Sequence, residues 1–273
     1  MNRTSAVVGV VCAGVLVSWA ASSPRSRVRA AAAEAAPRVT VVAELFTSEG
    51  CSSCPPADEV LTRLAGTQPV PGVEVIALGE HVDYWDRLGW RDPFSSASFT
   101  SRQSEYGARA FGTGSIYTPQ IVVDGRFEGI GSDFNAIRKH ILKAAEAPKV
   151  AVTVSAQGEG DAVVTGVRIE TPETLVKHEA ADVMLVVTED RLVTHVRKGE
   201  NGGRTLTHSA VVRSLMTIGA LPPGREVFSM TASTAMAAEW KHENVRFAAF
   251  VQERQSRRIL GAASVALQSP QSR

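Results

Sequence analysis

Cys51 and Cys54 stand three positions apart, with Ser52 and Ser53 between them. Two thiols at that spacing suit either a redox pair or half of a zinc site. Zinc would want two further thiols or histidines at close spacing. The chain has three cysteines, and the third, Cys12, lies in an N-terminal apolar run. The loop closed by a Cys51–Cys54 bridge is too short to remove much unfolded-state entropy, so a bridge here suits chemistry better than stability. In thiol–disulfide exchange a thiolate attacks and a second thiol resolves the mixed disulfide. Cys51 is the expected attacker and Cys54 the expected resolver.

The elements around the pair fit that use. Val39–Phe46 is a β-branched apolar run, suited to a buried strand. Thr47–Ser53 is a loop, and Ala57–Ala65 carries apolar residues at helical spacing, with Pro55-Pro56 before it and Gly66 after it. A thiol near a helix N-terminus is favoured as thiolate by unpaired N–H groups and the helix dipole. The two prolines weaken that effect, because neither has an N–H.

A second strand, Val73–Leu78, leads to His81 at its C-terminal edge, where open α/β sheets hold ligands. His81 is a candidate proton shuttle. With Cys51 and Cys54 it could alternatively ligate a soft metal such as copper; otherwise no cofactor is implied. The plainer reading is that His81 hydrogen-bonds Asp83 or Asp86. An excursion from His81 to Gly114 contains Trp85, Trp90 and a helix over Ser98–Phe111. Tyr117-Thr118-Pro119 then opens a strand, Gln120–Val123. Asp124-Gly125 signals a hairpin, Arg126–Ile130 returns, and Ser132-Asp133 caps a helix over Phe134–Ala145.

Beyond Pro148 short alternating strands recur: Val150–Ala156, Ala162–Ile169, Asp182–Thr188, Leu192–Val196, Thr205–Val212, Val227–Thr231, Val245–Gln252 and Ile259–Leu267. Such spacing predicts an antiparallel β-sandwich. Glu200-Asn201-Gly202-Gly203-Arg204, with His208 shortly after it, could form a recognition corner through Arg204 and Glu200, but it reads as a hairpin tip, since turn chemistry accounts for its Asn and Gly residues.

The order CxxC, helix, strand, excursion, Thr-Pro, hairpin, helix resembles the thioredoxin superfamily. That resemblance implies a cis Thr118–Pro119 bond, with Thr118 and Pro119 positioning an extended substrate beside Cys51. The longer strings Phe46–Asp58, His81–Asp86, Tyr117–Gln120 and Gly199–Leu206 resemble the family known as domain of unknown function 1223. Its members are exported bacterial proteins with a thioredoxin-like fold and no assigned activity. The chain departs from ordinary thioredoxins in having Leu45 where they carry a buried acid, and Gly50 where they carry an aromatic residue. The nearest acid, Glu44, belongs on the opposite face of the strand.

At 273 residues, with 44% hydrophobic and 21% charged content, the chain is long enough for two globular domains. Lys+Arg total 29 against Asp+Glu 28, which gives no electrostatic reason to expect nucleic acid as a partner. Arg3, the apolar run from Ala6 to Ala21 and the small residues Ala30–Ala33 read as an export signal. Arg25, Arg27 and Arg29 could instead make it an uncleaved anchor, the one route to a membrane.

The expected organisation is a signal peptide and leader (1–36), an α/β thioredoxin-like domain with a helical insertion (37–147), and an all-β sandwich-like domain (148–273). The expected function is a periplasmic or secreted thiol–disulfide oxidoreductase acting on protein or small-molecule thiols and disulfides. Two alternatives stand beside it: a copper carrier using Cys51, Cys54 and His81, and a non-catalytic interaction protein on a degenerate thioredoxin fold.

Overall fold

The computed structural model describes residues 38–267. The export-signal and anchor readings, with Cys12, lie outside the described residues. Strand β1 (Val39–Thr47) leads through the CSSC loop into helix α1 (Pro55–Thr67), which returns to strand β2 (Val73–His81). β1 and β2 pair in parallel from Val39 opposite Val73 to Thr47 opposite His81. Helix α2 (Ala97–Glu105) continues into a π-helical turn, Tyr106–Phe111. Strands β3 (Gln120–Val123) and β4 (Phe127–Ile130) and helix α3 (Phe134–Ala145) follow. β3 runs antiparallel to β1, with Gln120 opposite Phe46. The start of β3 therefore lies beside the end of β1 that enters the CSSC loop.

The remaining strands are β5 (Ala151–Glu159), β6 (Ala162–Glu170), β7 (Ala181–Glu189), β8 (Leu192–His195), β9 (Thr205–His208), β10 (Val211–Leu221), β11 (Val227–Ala235), β12 (Val245–Glu253) and β13 (Ile259–Ala266). They overturn the expected fold class. The chain is not an α/β thioredoxin-like domain followed by a separate all-β sandwich. It is mostly β, and strands from both halves form one mixed eight-stranded sheet in the order β13-β12-β7-β10-β2-β1-β3-β4. The junction is β10, whose Val211 pairs in parallel with Gly79 of β2. The Gly79 N–H donates to the Ala210 carbonyl at 2.8 Å. A Cβ at Gly79 would lie 3.2 Å from Leu61 and 3.4 Å from that carbonyl, so the absent side chain lets the two halves close up. The predicted strand Thr205–Val212 is in fact two, β9 and the start of β10, which belong to different sheets.

Alternation along the strands sets the layers. Val41, Ala43 and Leu45 of β1 pack with Ala57, Leu61 and Leu64 of α1 and Ile137 and Ile141 of α3. Farther along the large sheet, Val183, Ala249 and Val251 meet Val167 and Ile169 of β6, in the three-stranded sheet β11-β6-β5. On the other face Val42, Phe46, Ile76 and Leu78 meet Phe99 and Tyr106 of the excursion, and Phe250 belongs to the same cluster. Strands β8 and β9 form a two-stranded ribbon of their own, with no ladder to the other sheets.

Candidate functional site

Cys51 and Cys54 are joined by a disulfide, with their Cα atoms 5.4 Å apart. Both residues are 0% exposed, while Ser52 and Ser53 between them are exposed. Cys54 caps α1, and its carbonyl accepts from Ala57 N–H at 2.8 Å and Asp58 N–H at 3.1 Å. Pro55 and Pro56 supply no N–H. The start of α1 thus has no spare amide for a sulfur anion. The polar neighbour of Cys51 Sγ is the Ser53 hydroxyl, at 3.3 Å.

Thr118–Pro119 is a cis peptide. Trp85 ties it to the disulfide loop. The indole N–H donates to Thr118 Oγ1 at 2.8 Å, and a Cβ at Gly50 would lie 3.1 Å from Trp85 Cβ. Gly50 is small because the excursion delivers its aromatic residue onto this loop from outside. Leu45 faces α1, and Glu44 faces the opposite side of the sheet, hydrogen-bonded to Arg102 at 2.6 Å.

The buried polar groups near the loop come from four separate segments. Asp58 of α1 accepts from Thr47 Oγ1 at 2.8 Å. Its carboxylate lies 3.9 Å from Nδ1 of His208 on β9, which has no hydrogen-bond partner and is buried. His208 Nε2 meets Glu49 Oε1 at 3.1 Å. Trp90 donates its indole N–H to the other Glu49 oxygen at 2.7 Å. His81 Nδ1 lies 2.7 Å from Asp92, which also accepts from the Glu49 N–H at 2.8 Å. The rings of His81 and His208 meet edge to face, with centroids 5.0 Å apart.

Burial pushes the Asp58 carboxyl above the usual aspartate range, against the pull of the two histidines and Thr47. Burial alone would lower His81, but the Asp92 carboxylate overcomes it, aided by Asp58 and Glu49, and holds the imidazole above its ordinary value. Asp92 is held below its own range, because His81 and two backbone N–H groups outweigh its burial.

A hairpin tip closes over the loop. Asn201, wholly buried, donates from its side-chain amide to the carbonyls of Glu49 and Cys51, each at 2.9 Å. Arg204 fixes the amide's orientation by donating to Asn201 Oδ1 at 2.8 Å. Next to it, the exposed Glu200 carboxylate accepts the Ser52 N–H at 2.9 Å.

The structure thus brings Cys51, Cys54 and, through Trp85, Thr118 together. His81 is engaged by Asp92, with Phe94 and His208 against its ring. Neither Asp83 nor Asp86 is its partner. Among the described residues, no group of three His, Cys, Asp or Glu side chains is arranged to hold a metal ion. Sequence reasoning gave no role to Asp58, Glu49 and Asp92, and set His208 and Asn201 aside with a hairpin tip. A signal existed for two of them. Asp58 interrupts the buried stripe of Ala57, Leu61 and Leu64, and His208 shares the inward face of β9 with Leu206.

The fold and site define a mixed, mostly β protein with a buried CxxC disulfide at a strand–helix junction. The chain belongs to the DUF1223 family of proteins of unknown function, whose model matches residues 42–252. A structural-genomics protein of Agrobacterium tumefaciens is similar at 28% identity and a TM-score of 0.65, over 86% of this chain and 98% of that one. HBP35 of Porphyromonas gingivalis shares the fold, with 16% identity and a TM-score of 0.65 over 86% of this chain and 78% of its own. No curated protein matches. No helix among the described residues is long and apolar enough to cross a membrane.

Proposed function

We propose that the chain is an exported thiol–disulfide oxidoreductase working through Cys51 and Cys54. One observation carries the reading: the disulfide stands beside a buried set of proton-holding groups, of which Asp58 lies one helical turn beyond Cys54. A structural staple would need no such groups. An exchange reaction must take up or release a proton with each sulfur.

In the reductive direction, a partner thiolate attacks Cys51 Sγ. The bond between the two sulfurs breaks, a mixed disulfide forms at Cys51, and Cys54 leaves as a thiolate that takes a proton. A second partner thiolate then attacks the mixed disulfide and releases Cys51. Two partner thiols lose two electrons and two protons, and the pair gains both. Cys51 is assigned the outer role because it is carried by the loop, while Cys54 is fixed at the start of α1. We assign the passage of that proton to Asp58, one helical turn beyond Cys54, and to His208, 3.9 Å from the Asp58 carboxylate, with His81 and Asp92 paired next to them. Thr118 and Pro119 would position the partner. The partner is a protein or small-molecule thiol or disulfide. The export reading rests on the N-terminal sequence pattern and on the persistence of disulfides in oxidising compartments.

The test is turnover of a protein disulfide with reduced glutathione as the thiol donor, using the purified chain and its Cys51→Ser and Cys54→Ser variants. Both variants should lose turnover, and Cys54→Ser should accumulate a mixed disulfide at Cys51. Equal rates with and without the parent protein would refute the reading.

A further inference from the structure

We propose that the tip of the β8–β9 ribbon, Gly199–Arg204, is a gate over the redox pair, with Glu200 as the releasable catch. The proposal rests on Cys51 and Cys54 being the working pair.

Both cysteines are 0% exposed, although the two serines between them reach solvent. An attacking thiolate must approach a sulfur along the S–S axis, so a fully enclosed bridge cannot react without movement. Hydrogen bonds from outside the loop fall on its backbone at Glu49, Cys51 and Ser52, and three of them come from the tip: Asn201 to Glu49 O, Asn201 to Cys51 O, and Ser52 N–H to Glu200. The tip therefore occupies main-chain groups that an approaching partner would use.

With its base held to Glu49 by His208, the ribbon moves at its tip. It forms a separate two-stranded sheet with no ladder to the eight-stranded one. A lone two-stranded ribbon is marginal in water and depends on what it is docked against. Its roots, Arg191 and Ala210, both have positive φ, +59° and +54°, and the Ala210 N–H is tied to Asp190 at 2.7 Å. The tip itself is stiff. Gly202 N–H donates to Gly199 O, Gly203 N–H to Val196 O, and Arg204 N–H to Asn201 O. Gly199, at φ +77°, presses on Trp90, where a Cβ would come within 3.1 Å of the indole's Cβ. Of the two side chains that hydrogen-bond the tip to the loop, the Asn201 amide is buried and the Glu200 carboxylate is exposed. The exposed one exchanges readily with water, so release begins there.

A gate acts on rates and leaves the equilibrium between bridge and thiols alone. The experiment measures the rate at which a phosphine reductant opens the disulfide, by quenching with iodoacetamide and weighing the intact chain. The midpoint potential is measured in parallel against dithiothreitol. Glu200→Ala should speed reduction roughly three- to tenfold, the range of an ordinary net hydrogen bond, since water screens this exposed carboxylate, with Glu200→Gln in between. The midpoint potential should stay the same in all three proteins. An unchanged rate in Glu200→Ala would overturn the gate. So would a faster rate matched by an equal shift in potential, because the contact would then be holding the bond itself. Chemical reduction needs no physiological partner. A chain without oxidoreductase turnover would therefore sink the proposed function and leave the gate to be judged on these rates.

Discussion

The side-chain amide of Asn201 donates to the carbonyl of Cys51 at 2.9 Å, across 150 residues of sequence. The same amide group also reaches Glu49 O at 2.9 Å. Removing a donor from a buried acceptor costs about 1–3 kcal/mol per group. Asn201→Ala is therefore expected to lower unfolding free energy by about 2–4 kcal/mol, read from urea melts at unchanged slope. Asn201→Asp should be worse, since it sets an acceptor against two acceptors. A loss below about 0.5 kcal/mol for the alanine variant, the scale of an unspecialised surface change, would mean the two carbonyls find other donors.

The helix start beneath the disulfide has no spare N–H, because Pro55 and Pro56 lack one and Ala57 bonds the Cys54 carbonyl. Oxidising CxxC proteins owe their strength to a stabilised thiolate in the reduced form. Without it, the Cys51 thiolate gains no help from the helix start. The midpoint potential should then lie nearer about −270 mV than −120 mV. Glutathione redox buffers give the value. Replacing Pro56 with alanine restores one N–H and should make the potential less negative.

The His81–Asp92 pair makes stability depend on pH in a defined window. His81 titrates above its ordinary value in the folded protein, so its contribution is full below about pH 6.5 and is lost as pH rises through the folded value. Asp92 titrates below its ordinary value. Its contribution is full above about pH 3.9 and is lost as pH falls through the folded value. The pair is worth most between the two. Asp92→Asn should flatten this maximum and bring the His81 imidazole down in an NMR titration. An imidazole that stays where it was would show that Asp92 is not what holds it.

Much of the site's local frame was legible in the sequence. The strand before Cys51, the helix after Cys54 and the Thr-Pro before β3 each carry a local signal: a β-branched run, apolar spacing with leading prolines, and a proline at a strand start. The shared sheet was not legible. The pairing of Val211 with Gly79 is a single long-range contact, and the alternating strands around it read equally well as a free-standing sandwich. His208 and Asn201 were set aside for a related reason. A hairpin tip looks the same in sequence whether it faces water or, as here, rests on a loop 150 residues away.

The opposite face of the sheet buries a second charged cluster, and its two acids should respond in opposite ways. Glu44 accepts from Arg102 at 2.6 Å and from the Tyr106 hydroxyl. Burial would raise its carboxyl, but the guanidinium overcomes this and holds it below the usual range. Both oxygens of Glu80 are buried without a hydrogen-bond donor. Burial and the neighbouring Glu44 charge push Glu80 well above the usual range, despite Arg102 at 3.5 Å. A carboxyl raised on folding opposes stability once the unfolded chain ionises, from about pH 4.3 upward, and the opposition grows until the folded value is passed. Glu80→Gln should therefore match the parent at pH 4 and be the more stable protein at higher pH. Arg102→Met strands the Glu44 charge and should cost about 3–5 kcal/mol. Adding Glu44→Gln to Arg102→Met removes that stranded charge and should recover much of the loss in a double-mutant cycle. Additive losses in that cycle would mean that the ion pair is not what binds this cluster together.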